Sequence, residues 1–219
     1  MTAWFPNAPA ALRNKLKPSL DDALAVLGWD EQVLAYIGLP PTEPAHALAV
    51  ALDDGIHFNP LFAKQGDGTG VRAVCFEEAG HAFLGSLGVP HHGPLAVLLQ
   101  EAFATWFSFS CLAAEGSLDL AEDLSTDDIP SDPDLSQRPL VHWMAGKQAG
   151  SAMAGSVNAR EALERWCGRH HAGPWTGVVA SVATGLLRHE LASGAKPDAV
   201  GRWFASEYER LAATAPSVA

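Results

Sequence analysis

Glu77 and His81 stand four residues apart in the segment CFEEAGHAFLG, a spacing that stacks two side chains on one face of a helix. Glu78, one step on, projects about 100° round the axis, where it could reach a water on a metal held by the other two. Two ligands with a carboxylate beside them are the parts that metal-assisted hydrolysis needs, the third group serving as general base. A Glu and a His at this spacing also occur on solvated helix faces. Here Val74, Cys75, Ala79, Ala82 and Phe83 bracket the pair, so the face is partly buried, and an unpaired Glu77 there would be costly.

The run Glu77-Glu78-Ala79-Gly80-His81 resembles the HExxH helix of zincin metallopeptidases with its first ligand changed from His to Glu. The string EEAGHA is similar, over about six residues, to the HEAGHA of ATP-dependent membrane zinc peptidases, although nothing else in the chain suggests their ATPase module. In gluzincins the third zinc ligand is a Glu on the following helix, and the resemblance carries that role to Glu101 in QEAFATWFS. It also makes GIHFNP look like the edge strand that lines a zincin cleft, with His57 in it. The resemblance thus implies a hydrolase of the metallopeptidase type that acts on a peptide or small amide. Its metal, zinc, would be held by Glu77, His81 and Glu101, with Glu78 as catalytic base. The change at residue 77 has consequences, because a second anionic ligand lowers the Lewis acidity of the ion. An O₂N ligand set also admits iron or manganese. Two other readings stay open. One is a metal-free protein that keeps the zincin fold for binding. The other is a helical carboxylate-bridged iron oxygenase, which needs a second ligand set; Arg188-His189-Glu190 does not repeat the spacing.

The elements that must position these residues follow from periodicity. A helix is predicted over 71–87, stopped by Gly88 and Pro90, and another from Pro94 to about Glu115. Upstream, Ser19 reads as the cap of a short helix, and 31–37 reads as a second that stops at Gly38 and Pro40-Pro41. Residues 45–58 are ambiguous: 45–52 has good helix propensity, but Asp53-Asp54-Gly55 is a turn signal followed by a strand-like Ile56-His57-Phe58, which favours a hairpin. A short helical piece follows Asn59-Pro60, and then comes a glycine-rich loop in which Asp67 or Thr69 caps the helix that carries the motif. The acidic stretch 116–139 is a solvated loop and the one candidate subdomain boundary. Beyond it helices are expected over 138–167, 175–192 and 197–213. The expected architecture is a single zincin-like α+β domain over 1–219, mainly helical, with a small N-terminal β element and a helical C-terminal part.

Fourteen Lys plus Arg against 25 Asp plus Glu give a net charge of −11 over 219 residues, a balance that argues against nucleic acid or an anionic membrane as partner. The longest charge-free apolar run, 172–187, is too short and too broken by Gly173, Pro174 and Gly185 to span a bilayer. The opening MTAWFPNAPA has no basic stretch leading into an apolar one, which points to the cytoplasm. Cys75, Cys111 and Cys167 are far apart in apolar context and read as small buried hydrophobes. His91 and His92 lie in a Pro/Gly loop near the motif and could supply a substitute ligand or a substrate contact. His170 and His171 read as surface residues, and His46, His142 and His189 carry no constellation. No G-x-S-x-G elbow occurs, and 66–70 lacks the lysine of a phosphate loop. Substrate identity and oligomeric state are not fixed by these features.

Overall fold

The computed structural model describes residues 3–6, 8–115 and 196–213. The acidic stretch 116–139, the helices expected over 138–167 and 175–192, and the residues His142, His170, His171, His189 and Cys167 lie outside the described residues. What is described is mixed α+β and mostly helical. Strand β1 (Ala3–Trp4) leads through helix α1 (Ala10–Val26) to β2 (Val33–Ile37), followed by the hairpin β3 (Ala49–Leu52) and β4 (Gly55–Phe58). Helix α2 (Pro60–Gln65) then precedes α3 (Gly68–Ser86), α4 (Pro94–Ala114) and α5 (Pro197–Ala212). The sheet order is β1-β2-β4-β3, parallel except for the antiparallel pair β3 and β4.

Several expectations hold. The hairpin forms, with Ala49 opposite Phe58 and Leu52 opposite Gly55. At Gly55, φ is +139°, and a Cβ would lie 2.5 Å from the Leu34 carbonyl oxygen. Only glycine fits that position. Asn59 caps α2 by accepting from the Leu61 N–H at 2.9 Å, and Asp67 caps α3 by accepting from the Gly70 N–H at 2.7 Å.

Two expectations are corrected. Residues 33–37 form a strand, because VLAYI alternates inward Val33 and Ala35 with outward Leu34 and Tyr36 and has a parallel partner on each side. So short a run cannot display a helical period, and the sheet decides its conformation. Helix α1 begins at Ala10, nine residues before Ser19, and runs through Pro18. A proline inside a helix costs about 3 kcal/mol. Burial of Leu16, Leu20, Ala23 and Leu24 along one stripe offsets it. Asp21 on the same helix accepts the Ala3 N–H at 2.7 Å and so ties β1 to α1.

The core lies between the sheet and α3, with α1, α4 and α5 packed round that helix. Phe103 of α4 meets Phe83 of α3 and Phe204 of α5 with ring centroids 6.2 and 5.6 Å apart. Gly201 permits this approach, since a Cβ there would lie 2.7 Å from the Phe83 ring. The segment Leu95–Leu112 of α4 is long and apolar enough to cross a membrane, yet 75% of it is buried inside the protein as a core helix. Cys75 is buried and Cys111 half-buried, both as free thiols.

Candidate metal centre

Helices α3 and α4 approach closely where Gly80 faces Ala104. A Cβ on Gly80 would lie 2.9 Å from the Ala104 Cα, so the two backbones are nearly in contact. One turn back along α4 and within one turn on α3, that closeness brings three short side chains together. The ligand atoms of Glu77, His81 and Glu101 all lie within 4.8 Å of one another, each residue partly buried. The triplet with Glu78 forms a metal-binding-like cluster that matches an EExxH-type zincin motif.

The strand that borders this cluster is β3, not β4. In the sheet order β4 lies between β2 and β3, so the segment Gly55–Phe58 is interior. His57 is directed away from the core. Its Nε2 is 3.0 Å from Asp54, its Nδ1 is 3.3 Å from the Gly38 carbonyl, and its ring stacks on Tyr36. The expectation of a cleft-lining edge strand is therefore met one strand earlier, at Ala49–Leu52. The Asn59 N–H donates to the Leu48 carbonyl at 2.9 Å. Since bonded pairs alternate along an antiparallel ladder, the N–H and C=O groups of Ala49 and Ala51 point to the edge that no other strand occupies among the described residues. The Ala51 backbone on that side slightly favours the ionised form of Glu78, the smallest of the influences on that carboxyl.

A pocket of about 370 Å³ opens over the cluster, lined by Glu77, Glu78, His81 and Glu101 from below and by His46 and Ala49 from the sheet side. His46 carried no signal in the sequence. It lines the pocket because Asn59 Nδ2 donates to the carbonyls on either side of it, Ala45 at 3.1 Å and Ala47 at 2.9 Å. Of the other loop histidines, His92 is exposed. His91 packs its ring against Gly85, where a Cβ would meet its Nε2 at 2.6 Å, and stays outside the ligand cluster.

Electrostatically the cluster is unbalanced. Three carboxylates surround one imidazole. Burial pushes the Glu78 carboxyl up to about 8; His81 opposes the shift, while Glu77 and Glu101 add to it. Burial disfavours the charged form of His81, but Glu101, Glu78 and Glu77 outweigh it and raise its pKa above the ordinary value. Glu78 Oε2 is buried and has no hydrogen-bond partner among the described residues. A buried acceptor left so is costly, and a cation or a polar ligand in the pocket removes that cost. The donor set thus fits a divalent ion: two carboxylates and a neutral imidazole carry −2 between them, and geometry leaves Glu78 beside the ion's place rather than in the ligand triplet.

Gln100, which precedes Glu101 on α4, likewise carries no signal in the sequence. Its Oε1 lies 3.2 Å from His81 Nδ1, and its Nε2 donates to the Val89 carbonyl at 2.8 Å. No family model, curated protein or solved structure matches the chain.

Proposed function

We propose that the protein is a metal-dependent hydrolase that cleaves a peptide or small amide. The observation that carries this is Glu78: a buried carboxylate with one unpartnered oxygen, placed beside a convergent Glu77, His81 and Glu101 triplet in a single pocket. Structural carboxylates are normally satisfied on both oxygens.

Glu77, His81 and Glu101 are the residues that would hold the ion, with zinc the first choice and iron or manganese compatible with the two oxygen donors. Such an ion supplies Lewis acidity to an amide carbonyl and to a water molecule. The chain's own groups do the rest. The backbone groups of Ala49, which have no strand partner on that side among the described residues, pair with an extended substrate along the outer edge of β3. Glu78 Oε2 takes a proton from the attacking water and delivers it to the departing amine nitrogen. A carboxylate poised near neutral pH suits both transfers, and the field of a cation would bring Glu78 down from about 8 towards that range. His46, at the pocket's rim, faces the substrate side. The acidic balance and the free thiols of Cys75 and Cys111 suit a cytoplasmic setting.

The test is Glu78→Gln assayed on a peptide panel. A proton-transfer group should cost about 10² or more in rate, with metal content unchanged. Activity retained in Glu78→Gln, or none in the wild type on any amide substrate, contradicts the proposal.

A further inference from the structure

We infer that Gln100 is the positioning residue of the centre, a buried amide that fixes His81 as its Nδ1–H tautomer and so leaves the Nε2 lone pair for a cation. The inference rests on the metal-binding reading above, and it goes further by naming a residue outside the motif.

The Val89 carbonyl can only accept a hydrogen bond, so the group facing it at 2.8 Å must be the Gln100 NH₂. That fixes the amide's orientation. Its Oε1 therefore faces His81, and an amide oxygen can only accept. The proton of the 3.2 Å contact consequently sits on His81 Nδ1. A neutral imidazole with Nδ1 protonated has its lone pair on Nε2, the atom available to a cation. An imidazole free in water favours the opposite tautomer. Gln100 is only 3% exposed, so bulk water cannot take over the contact.

The choice of an amide has a further consequence. A carboxylate partner would add a fourth carboxyl group to Glu77, Glu78 and Glu101 and a second acceptor against the Val89 carbonyl. Gln100 orients the ligand without adding charge, and anchors itself to the loop that follows α3. Metal affinity should therefore depend on the acceptor that Gln100 offers to His81, and stability on the donor that it offers to Val89.

Two variants and one spectrum separate these roles. Gln100→Leu removes both bonds and should lower Zn²⁺ affinity by about 10- to 100-fold, measured by competition with a chromophoric chelator. Gln100→Glu keeps an acceptor for His81 and loses the donor to Val89. It should melt lower than wild type yet bind Zn²⁺ at least as tightly. Equal loss of affinity in both variants, or wild-type affinity in Gln100→Leu, overturns the proposal. The ¹⁵N shifts of His81 in chelator-treated wild-type protein, taken at a pH where the imidazole is neutral, need neither variant nor metal. They should report Nδ1–H; an Nε2–H tautomer overturns the assignment to Gln100. Wild-type protein that shows Nδ1–H but binds no Zn²⁺ would overturn the metal-binding reading on which the role depends.

Discussion

A carboxyl group buried beside other carboxylates binds its proton more tightly in the folded chain than in the unfolded one. For Glu78 the folded value is about 8 against an ordinary 4.5. A raised folded value means that stability is fully present below the unfolded value and is lost as pH rises through the folded one. His81 is also raised, so its contribution has the same sign. Chelator-treated protein should therefore lose stability as pH rises from mildly acidic to alkaline, through the folded value of Glu78 near 8. Glu78→Gln, which mimics the protonated form, should flatten the curve of melting temperature against pH; superimposable curves would show that Glu78 is not the group responsible. At residue 77, Glu77→His replaces an anion by a neutral ligand. Zinc should bind more tightly, and the rise of rate with pH should shift to lower pH, because the water ionises more readily beside a more acidic ion. A pH–rate comparison checks this, and loss of metal in the variant would mean that Glu77 is not a zinc ligand or that another metal is native. These residues were legible in the sequence because a helix turns i, i+4 spacing into adjacency. Gln100 and His46 were not, since one depends on the Val89 carbonyl and the other on the Asn59 side chain, both contacts across the fold.

At the scale of elements, the centre exists because α3 and α4 nearly touch at Gly80 and Ala104. Gly80→Ala places a methyl 2.9 Å from the Ala104 Cα, and a backbone atom cannot swing aside as a side chain can. The helices must part by a few tenths of an ångström. Overpacking costs about 1–3 kcal/mol, against a gain of up to about 1 kcal/mol for alanine over glycine in a helix. We expect a lower melting temperature and a roughly tenfold loss of metal affinity as Glu101 draws back from His81, to be checked by thermal melts and metal titration. A variant that is more stable and binds metal as well as wild type would remove the close approach from the account. Both helices were readable from their punctuation, namely the Asp67 cap, the Gly88 and Pro90 stop, and Pro94 in the first turn. Strand β2 was not, because VLAYI takes its conformation from β1 and β4. The start of α1 was hidden for a different reason: Pro18 reads locally as a boundary, and only the buried stripe from Leu16 to Leu24 keeps the helix continuous across it. The edge strand was placed one element late, since strand order in a sheet follows from pairing and not from sequence.

For the molecule as a whole, an acidic chain of net charge −11 confines three of its carboxylates round one imidazole in one pocket. A cation that binds only the folded chain stabilises it in proportion to the logarithm of its concentration. At a hundredfold excess over Kd the gain is about 2.7 kcal/mol, which for a chain of this size raises Tm by roughly 5–10 °C. Remote contacts frame that pocket. Arg72 of α3 bonds Glu115 at the end of α4 and Asp22 of α1, and Asn59 fastens the loop before β3 to the start of α2. The most direct test of the account is elemental analysis of protein purified without chelator, wild type beside His81→Ala, with thermal melts before and after chelation. Wild-type protein should carry about one divalent ion per chain and fall in Tm on chelation, and His81→Ala should show neither ion nor shift. Wild-type protein that holds no metal, takes up none on dialysis against zinc, iron or manganese, and melts alike with and without chelator would contradict the metal-binding reading.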